Sequence, residues 1–388
     1  MEHGVSTRRP FALFERAKYL DGRQPTAFVL PATLAGRLDE QSLRLASNRV
    51  QARHGVLRSL VERDADGRTW FVQRQTPPPI ALRIAERHGD EDWKEQARLE
   101  CERSFDAKRA PLIRLVWLRG AVRGDLLLCC HHCICDGGSA VALSRDILAV
   151  CDRPDARLGP RFELHDGVDV LPPEARRDRR LQRRARWKTA LYKGLLRCWR
   201  IGPPLSYGAV YTLRWSIEAE AVQALLRRCK QEGAGLFAAV SPAFMLACRS
   251  MQGAREVKKF VAPVAPRRYL PALHGGMLFP VAPMLPLSFG RRQAGAVDFW
   301  SCARAWHDDM HRRIEGFAPV LYEQLLGLEQ LHPLFGRLDL AFISDEVSLP
   351  MAVAERIRSV TELLRIAAAL PAPATTGFDA TPVPVEGL

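Results

Sequence analysis

The residues best suited to chemistry are two adjacent histidines, His131 and His132, which follow a short apolar run. The run, Leu126–Cys130, is long enough for a buried strand and too short for a free-standing helix. An aspartate and paired glycines follow at positions 136 to 138. A neutral histidine titrates near the operating pH and can take a proton from a hydroxyl or an amine. The stretch therefore predicts a strand that delivers a general base to a cleft.

Strand geometry separates the two histidines. Adjacent residues of a strand face opposite sides of the sheet, so His131 and His132 cannot both enter one cleft. We expect one to be buried and structural and the other to be available as a base. The competing interpretation, in which both are hydrogen-bonded core residues, stays open on these residues alone. Gly137 and Gly138 allow positive φ and a close approach of the backbone to a ligand.

Other motifs that could explain the stretch do not fit. A hydrolase nucleophile elbow would need a glycine where Val141 stands, two residues after Ser139. The chain has no phosphate loop and no dinucleotide fingerprint. Cysteines flank the histidines, but ligands crowded on one strand alternate between faces, unlike the spaced pairs of zinc sites. We expect no metal. The cysteines around the histidines are Cys129, Cys130, Cys133 and Cys135.

Composition indicates a globular protein large enough for two domains. The 388 residues are 47% hydrophobic and 26% charged. Ten scattered cysteines favour a reducing compartment with free thiols. The start of the chain carries no secretory signal, and the longest nearly uncharged run, Gly235–Cys248, is short of the roughly 20 residues that span a bilayer. We expect a cytoplasmic protein, with peripheral membrane association as an open alternative.

Strands and helices alternate in both halves of the chain, which predicts two α/β domains. In the first half, an apolar strand precedes an amphipathic helix, a strand pair turns at Asp66-Gly67, and a further strand neighbours the histidine strand. The predicted elements of the second half are a strand at Ala209–Ile217, helices at Glu218–Gln231 and Leu236–Ser250, strands at Phe260–Val264 and Met277–Leu287, helices at Ala296–Phe317 and Leu321–Leu328, and a last strand at Leu338–Ser344.

Most of the excess positive charge lies in one segment. Residues 176–200 hold eleven Lys or Arg against one acid, a net of +10, so of the total of +14 only about +4 remains for the rest. Trp187, Leu191, Leu195 and Trp199 recur every four residues, which predicts an amphipathic basic helix. It could bind an anionic membrane surface or an acidic protein partner, or it could be a solvated linker helix. Nucleic acid is not expected, because no nucleic-acid module surrounds the segment.

The segment His131-His132-x-x-x-Asp136-Gly137 resembles the signature of the condensation-domain and acyltransferase superfamily. That superfamily includes condensation domains of peptide synthetases, polyketide-associated acyltransferases, wax ester synthases and alcohol acetyltransferases. Further similarities follow in the family's order along most of the chain. They are Leu38–Leu43 with Arg53-His54-x-x-Leu57-Arg58, Phe105-Asp106 with Pro111-Leu112-x-Arg114, Pro263-Val264-x-x-Arg267, and Gly276-Met277-x-Phe279.

The resemblance implies a chloramphenicol-acetyltransferase-like fold, with two related α/β subdomains in a V around a central tunnel. It implies transfer of an acyl group from a coenzyme A or carrier-protein thioester to an alcohol or amine, with no bound cofactor. His132 would be the general base and His131 structural. Asp136 would support the loop by pairing with Arg267, and Gly137 would leave room for substrate. Gly138 and Ser139 are further candidates for substrate binding.

The resemblance also divides the chain and leaves alternatives. We expect an N-terminal subdomain over 1–172, a basic linker helix over 173–204 and a C-terminal subdomain over 205–388 that is atypical or truncated from about 345. There, Ser344-Asp345-Glu346-Val347 replaces the family's Ser-Asn-x-Gly-like turn, and Pro280 stands where many condensation domains carry asparagine. A free-standing acyltransferase is favoured. An inactive condensation-like scaffold and a membrane-associated wax ester or lipid acyltransferase remain open.

Overall fold

The structure is a computed structural model that describes residues 8–19, 27–164, 170–198, 219–250, 259–263, 266–273, 275–281, 284–288 and 298–329. The chain divides into two compact units. The first comprises Met1–Ser206, Ala265–Pro283 and Pro319–Ile343, and the second comprises Tyr207–Val264, Met284–Ala318 and Ser344–Leu388. The first unit is thus built from three separate stretches of chain.

The described elements alternate between strands and helices, as the sequence predicts. In chain order they are β1 (Arg8–Pro10), α1 (Leu13–Tyr19), β2 (Ala27–Ala35), α2 (Glu40–Arg53), β3 (Ser59–Arg63), β4 (Thr69–Gln73), β5 (Ala81–Glu86), α3 (Asp92–Glu102), β6 (Ile113–Arg119), β7 (Arg123–His131), α4 (Gly137–Asp152), α5 (Pro173–Arg177), α6 (Arg179–Cys198), α7 (Ala219–Gln231), α8 (Leu236–Ser250), β8 (Lys259–Pro263), β9 (Met284–Ser288), α9 (Phe299–Glu315) and α10 (Phe317–Glu329).

A four-stranded sheet in the order β2-β7-β6-β5 forms the centre of the first unit. Strands β2 and β6 run antiparallel to β7, and β5 runs parallel to β6. Strand β7 is buried from Gly124 to His131, so its near-continuous apolar sequence suits a strand covered on both faces. On one side lies a large core that includes Leu43 of α2 and Leu143 of α4. On the other, Trp93 and Ala97 of α3 pack on β6 and β7.

A second, three-stranded sheet in the order β1-β4-β3 holds the N-terminal segment. Phe11, just after β1, stacks on Phe71 of β4 with ring centroids 4.1 Å apart and meets the edge of Tyr19 at 5.2 Å. Arg9 forms a two-point ion pair with Glu15 of α1 at 2.5 and 2.6 Å, and both side chains are buried. These contacts fix α1 although the helix has only seven residues.

The second unit has a small helical core and a two-stranded antiparallel sheet of β8 and β9. Leu225 and Cys229 of α7 pack with Trp300 and Ala303 of α9 and with Ala239 of α8. Asp298 caps α9 by accepting hydrogen bonds from the backbone N–H groups of the next residues, as expected for an N-cap aspartate.

The predicted elements agree with the structure except in five places. The linker helix predicted over 173–204 is interrupted, because α5 ends at Arg177 and α6 begins at Arg179. Strands β1 and β5 and helix α1 were not predicted. The predicted strand Met277–Leu287 is wrong in extent, because residues 277–281 are not a strand and β9 begins at Met284. Pro280 lacks the N–H that a ladder needs, which disfavours a strand here, although β9 itself accommodates Pro286. The predicted strands Ala209–Ile217 and Leu338–Ser344, Trp199 and the tail from 345 lie outside the described residues. The domain boundaries at 172 and 204 stay a prediction.

Candidate active site in the histidine loop

The histidine loop, which we define as residues 131–139, connects the end of β7 to the start of α4. Strand β7 ends at His131, a turn follows, and α4 begins at Gly137. The loop is fixed by backbone hydrogen bonds: His131 N–H donates to the Leu112 carbonyl at 2.9 Å, and Ile134 N–H donates to the His131 carbonyl at 3.1 Å. The central sheet thus presents the loop at the end of its most buried strand.

His132 has one nitrogen fixed by the loop and one directed at a helix. Its Nδ1 lies 2.9 Å from the Cys135 carbonyl oxygen, which can only accept, so Nδ1 carries the hydrogen and donates it. Its Nε2 therefore holds the lone pair of the neutral ring. The side chain is partly exposed, and its ring meets the edge of Phe28 with centroids 5.3 Å apart. This is the tautomer that a general base needs at Nε2.

The charge state of His132 is set by its surroundings. Burial lowers its pKa below the ordinary value of 6.5, and the positive charge of Lys18 lowers it further. The hydrogen bond to the Cys135 carbonyl and the charge of Asp136 act in the opposite direction. A lowered pKa keeps the imidazole neutral at neutral pH, so Nε2 keeps its lone pair.

His131 occupies a different environment. It is 2% exposed, and its Nδ1 accepts a hydrogen bond from the Cys133 N–H at 3.1 Å. Its ring packs against Tyr19 and Phe105, and the Arg114 guanidinium lies over the Phe105 ring at 3.9 Å. Burial lowers the pKa of His131 to about 3, so this histidine stays neutral in the core. These contacts fit a structural role.

Asp136 is the N-cap of α4 and the partner of an arginine from far along the chain. Its Oδ1 accepts from the Ser139 N–H at 2.7 Å, and the Ser139 hydroxyl closes a capping box 3.0 Å from the Asp136 N–H. Arg267 Nη2 lies 3.0 Å from Oδ2 and 3.2 Å from Oδ1 of Asp136 and also donates to the Phe279 carbonyl at 3.3 Å. The carboxylate thus joins the loop, α4 and the 265–283 stretch within the first unit.

The glycines and Ser139 differ from the expectation for substrate binding. Gly137 and Gly138 are exposed first residues of α4, and neither has the positive φ that the sequence allows. A Cβ at Gly137 would meet no atom within 4 Å, so the space beside it is open. Ser139 is fully buried with its hydroxyl in the capping box, which leaves no exposed side-chain atom to bind a substrate.

Lys18 is the site residue that the sequence does not reveal. Its Nζ lies 3.0 Å from Nε2 of His132, although the residues are 114 positions apart. Burial lowers the pKa of Lys18. The residue stands on α1, which the sequence pattern does not predict, and no feature of the sequence separates it from a surface lysine.

The cysteines of the histidine loop are inert groups. Burial raises the pKa of the Cys133 and Cys135 thiols well above the ordinary value, so both stay protonated. Within the described part of the chain, no cluster of three or more His, Cys, Asp or Glu side chains could hold a metal ion.

Helix α6 contains most of the basic segment. Leu181, Ala185 and Thr189 are buried at four-residue intervals, and Lys188 pairs with the buried Glu323 at 2.8 Å. On the opposite face, the Trp187 side chain is 68% exposed. The side chains of Leu195 and Trp199 lie outside the described residues. None of the helices in the described ranges is long and apolar enough to cross a membrane.

The histidine loop lies in a segment that matches a known protein family. Residues 21–158 match the Condensation domain family. The matched segment contains the whole loop and leaves out Lys18 and Arg267. The resemblance seen in the sequence is confirmed. A comparison with curated protein sequences finds no match.

Solved structures of condensation domains share the fold of nearly the whole chain. The first condensation domain of the calcium-dependent antibiotic synthetase, in complex with a substrate analogue, is 17% identical and superposes with a TM-score of 0.68 over 95% of this chain and 98% of that one. Polyketide synthase associated protein 5 from Mycobacterium tuberculosis is 16% identical, with a TM-score of 0.52 over 82% and 75% of the two chains.

A third similar structure contains an alcohol. The SgcC5 protein from Streptomyces globisporus, in complex with (R)-(-)-1-(2-naphthyl)-1,2-ethanediol and sucrose, is 16% identical, with a TM-score of 0.54 over 83% and 76% of the two chains. At such low identities the similarity establishes the fold. The predicted chloramphenicol-acetyltransferase-like fold, which condensation domains have, is confirmed, and the fold family is one associated with acyl transfer.

Proposed function

We propose that the protein transfers an acyl group from a thioester to an alcohol or an amine, with His132 as the general base. The observation that carries the proposal is the contact of His132 Nδ1 with the Cys135 carbonyl oxygen at 2.9 Å. Because Nδ1 donates to the Cys135 carbonyl, the lone pair lies on Nε2, in a partly exposed position of a condensation-domain segment. General base catalysis by such a group contributes typically about 10²- to 10⁴-fold to the rate.

The reaction needs only proton movements at Nε2. Nε2 takes the proton of the acceptor O–H or N–H while the oxygen or nitrogen attacks the thioester carbonyl. The C–S bond then breaks, and the departing thiolate takes the proton back from Nε2. The thioester would be carried by coenzyme A or by a carrier protein, both of which stay proposals, as does the free-standing character of the enzyme. The diol bound to SgcC5 supports an alcohol acceptor.

Mass spectrometry of products from a panel of acyl thioesters and acceptors tests the proposal. Wild-type protein should form an ester or amide, and His132→Ala should lose at least about 10²-fold in rate without unfolding the chain. His88→Ala is the matched control, because His88 is exposed and lies outside the loop. Equal rates for wild type and His132→Ala would remove His132 from the mechanism.

A non-catalytic scaffold is the second candidate, and one observation favours it. Lys18 Nζ lies 3.0 Å from Nε2, so the lone pair of the proposed base already has a partner within the protein. The same panel separates the two candidates. A scaffold forms no product from any thioester with either wild type or the Lys18→Met variant.

The exposed face of α6 supports a docking role for residues 176–200. Arg183 and Trp187 are exposed there, with Ala190 and Leu191 beside them. An anionic membrane would bind such a face through both charge and the apolar side chains. Co-sedimentation with vesicles containing phosphatidylserine should then fall as salt rises, since exposed charges are screened. If the partner is an acidic carrier protein, Trp187→Ala should weaken transfer from the carrier and leave transfer from coenzyme A unchanged.

A further inference from the structure

The contact between Lys18 and His132 brings a cation to the proposed base. Lys18 Nζ lies 3.0 Å from Nε2 of His132, the atom that would receive the acceptor's proton. Within the described ranges, no Asp or Glu oxygen lies within 4.0 Å of this amine, whereas many other basic side chains of the first unit have such a partner.

The fold holds Lys18 in place. Helix α1 is fixed by the buried pair of Arg9 and Glu15 and by a hydrogen bond of 2.7 Å from the Ala12 N–H to Glu15. Tyr19, the next residue, is buried against Phe11 and His131. The backbone of Lys18 is therefore anchored on both sides, and only its side chain is free to exchange partners.

The groups that face Lys18 do not neutralise it. Cys133 and Cys135 are protonated thiols, because burial raises their pKa. Asp136 contributes an attractive charge, but its oxygens are taken by Ser139 and Arg267. His132 is neutral or positive and never an anion. Lys18 is half-buried, so holding its charge without an adjacent anion has a cost, and an anion that enters the site would reduce that cost.

We propose that Lys18 binds a carboxylate of the substrate, so that the substrate itself removes the lysine from Nε2 and frees the base. The proposal rests on the proposed acyl transfer. Because Nζ and Nε2 are neighbours, the carboxylate must lie close to the reacting group, as it does in α- and β-hydroxy acids and in amino acids. The carboxylate could belong to the acceptor or to the acyl group of the donor.

In this proposal, Lys18 and Nε2 of His132 change their hydrogen-bond partners when the substrate binds. Before binding, Lys18 donates to Nε2. After binding, the ammonium donates to the carboxylate, and Nε2 accepts the O–H or N–H hydrogen of the acceptor. An acceptor without the carboxylate leaves Lys18 on Nε2 and reacts slowly. Water, which also lacks a carboxylate, would be kept from hydrolysing the thioester in the same way.

Pairs of substrates with and without a carboxylate test the proposal. Acceptor pairs are lactate with lactamide, glycolate with glycolamide, and serine with serinamide; the donor pair is succinyl- with butyryl-coenzyme A. A charge-assisted hydrogen bond is worth about 1.5–3 kcal/mol, so kcat/KM should favour the acid of one pair by about 10- to 100-fold. The acceptor pairs and the donor pair distinguish the two sources of the carboxylate.

Substitutions of Lys18 distinguish carboxylate binding from a purely structural role of the lysine. Lys18→Met should lose the preference, because it slows the acid and speeds the amide, for which Nε2 is then free. Lys18→Arg should keep part of the preference. Lys108→Met is the control, since Lys108 is an exposed lysine of the same unit. If Lys18→Met slows acid and amide equally, or if wild type shows no preference in any pair, the proposal is wrong.

A binding measurement decides the proposal separately from transfer. In at least one pair, the melting temperature of wild type should rise with the member that carries the carboxylate and not with its uncharged counterpart, and this rise should vanish in Lys18→Met. If no thioester is consumed but this rise is present, acyl transfer fails while the carboxylate site stands. If transfer is found and neither the rise nor the rate preference appears, the carboxylate site fails while acyl transfer stands.

Discussion

Replacing Asp136 with asparagine tests how the histidine loop is held. The change keeps the shape of the side chain and removes its charge. Asparagine is as good an N-cap as aspartate, so the hydrogen bond from the Ser139 N–H can persist. What is lost is the ion pair with Arg267, whose side chain is 17% exposed against 9% for that of Asp136. The variant therefore isolates the ion pair from the cap.

The expected loss follows from the burial of this pair. Removing one partner of a buried ion pair costs about 3–5 kcal/mol, because the other charge stays buried. The amide oxygen of the introduced asparagine can still accept from Arg267, and the arginine keeps its bond to the Phe279 carbonyl, so we expect about 2–3 kcal/mol. Asp136→Ala also removes the cap and should cost about 1 kcal/mol more.

Urea denaturation of wild type, Asp136→Asn and Asp136→Ala gives these differences. Arg267→Met is the reciprocal variant. It leaves the Asp136 carboxylate without its cation, but that carboxylate keeps the Ser139 N–H and the N-terminus of α4, so the variant should cost less than Asp136→Asn. In the double variant Asp136→Asn/Arg267→Met, the loss should be smaller than the sum of the two single losses. An unchanged unfolding midpoint for Asp136→Asn, or strictly additive losses, would refute the view that the pair holds the loop.

Three further predictions concern buried ionisable side chains. Because burial and Lys18 lower the pKa of His132, the acidic limb of the kcat/KM profile should lie below the ordinary histidine value of 6.5, and Lys18→Met should move it to higher pH. Burial lowers the pKa of His54 and His131 to about 3, so the unfolded chain binds more protons between pH 6.5 and 3. Stability should fall as the pH is lowered through that interval, by about 1.4 kcal/mol per pH unit for each histidine, which acid titration of the urea midpoint measures. Glu15→Gln breaks a buried pair and should cost about 3–5 kcal/mol in the same denaturation assay.

The histidine strand and helix α2 could be predicted because their signals are local. The apolar run before His131, the glycines after Asp136 and the periodicity of α2 each lie within a short stretch of sequence. Helix α1 has no such signal. Its seven residues are held by Arg9, which pairs with Glu15, and by the ring of Phe11, which contacts Tyr19; periodicity does not record such contacts.

The candidate site likewise has some features that could be predicted from the sequence and others that could not. The different environments of His131 and His132 follow from strand geometry, although only the resemblance indicated which one is the base. Arg267 is 131 residues from Asp136, and that partner came from the resemblance alone. The contact of Lys18 with His132 followed from neither, because it joins the histidine loop to an unpredicted helix that lies outside the family match.

The discontinuity of the first unit has a consequence for synthesis on the ribosome. Residues 265–283 belong to this unit, yet they are translated after the residues of the second unit up to Val264. At about 5–20 residues per second, the 131 residues between Asp136 and Arg267 take on the order of ten seconds to make. During that interval the nascent chain can form β7 and the capping box of α4, but Asp136 has no arginine. The histidine loop therefore acquires its final support late in translation, and a ribosome-bound chain that stops before residue 267 should be more easily cut by protease at this loop than the completed protein.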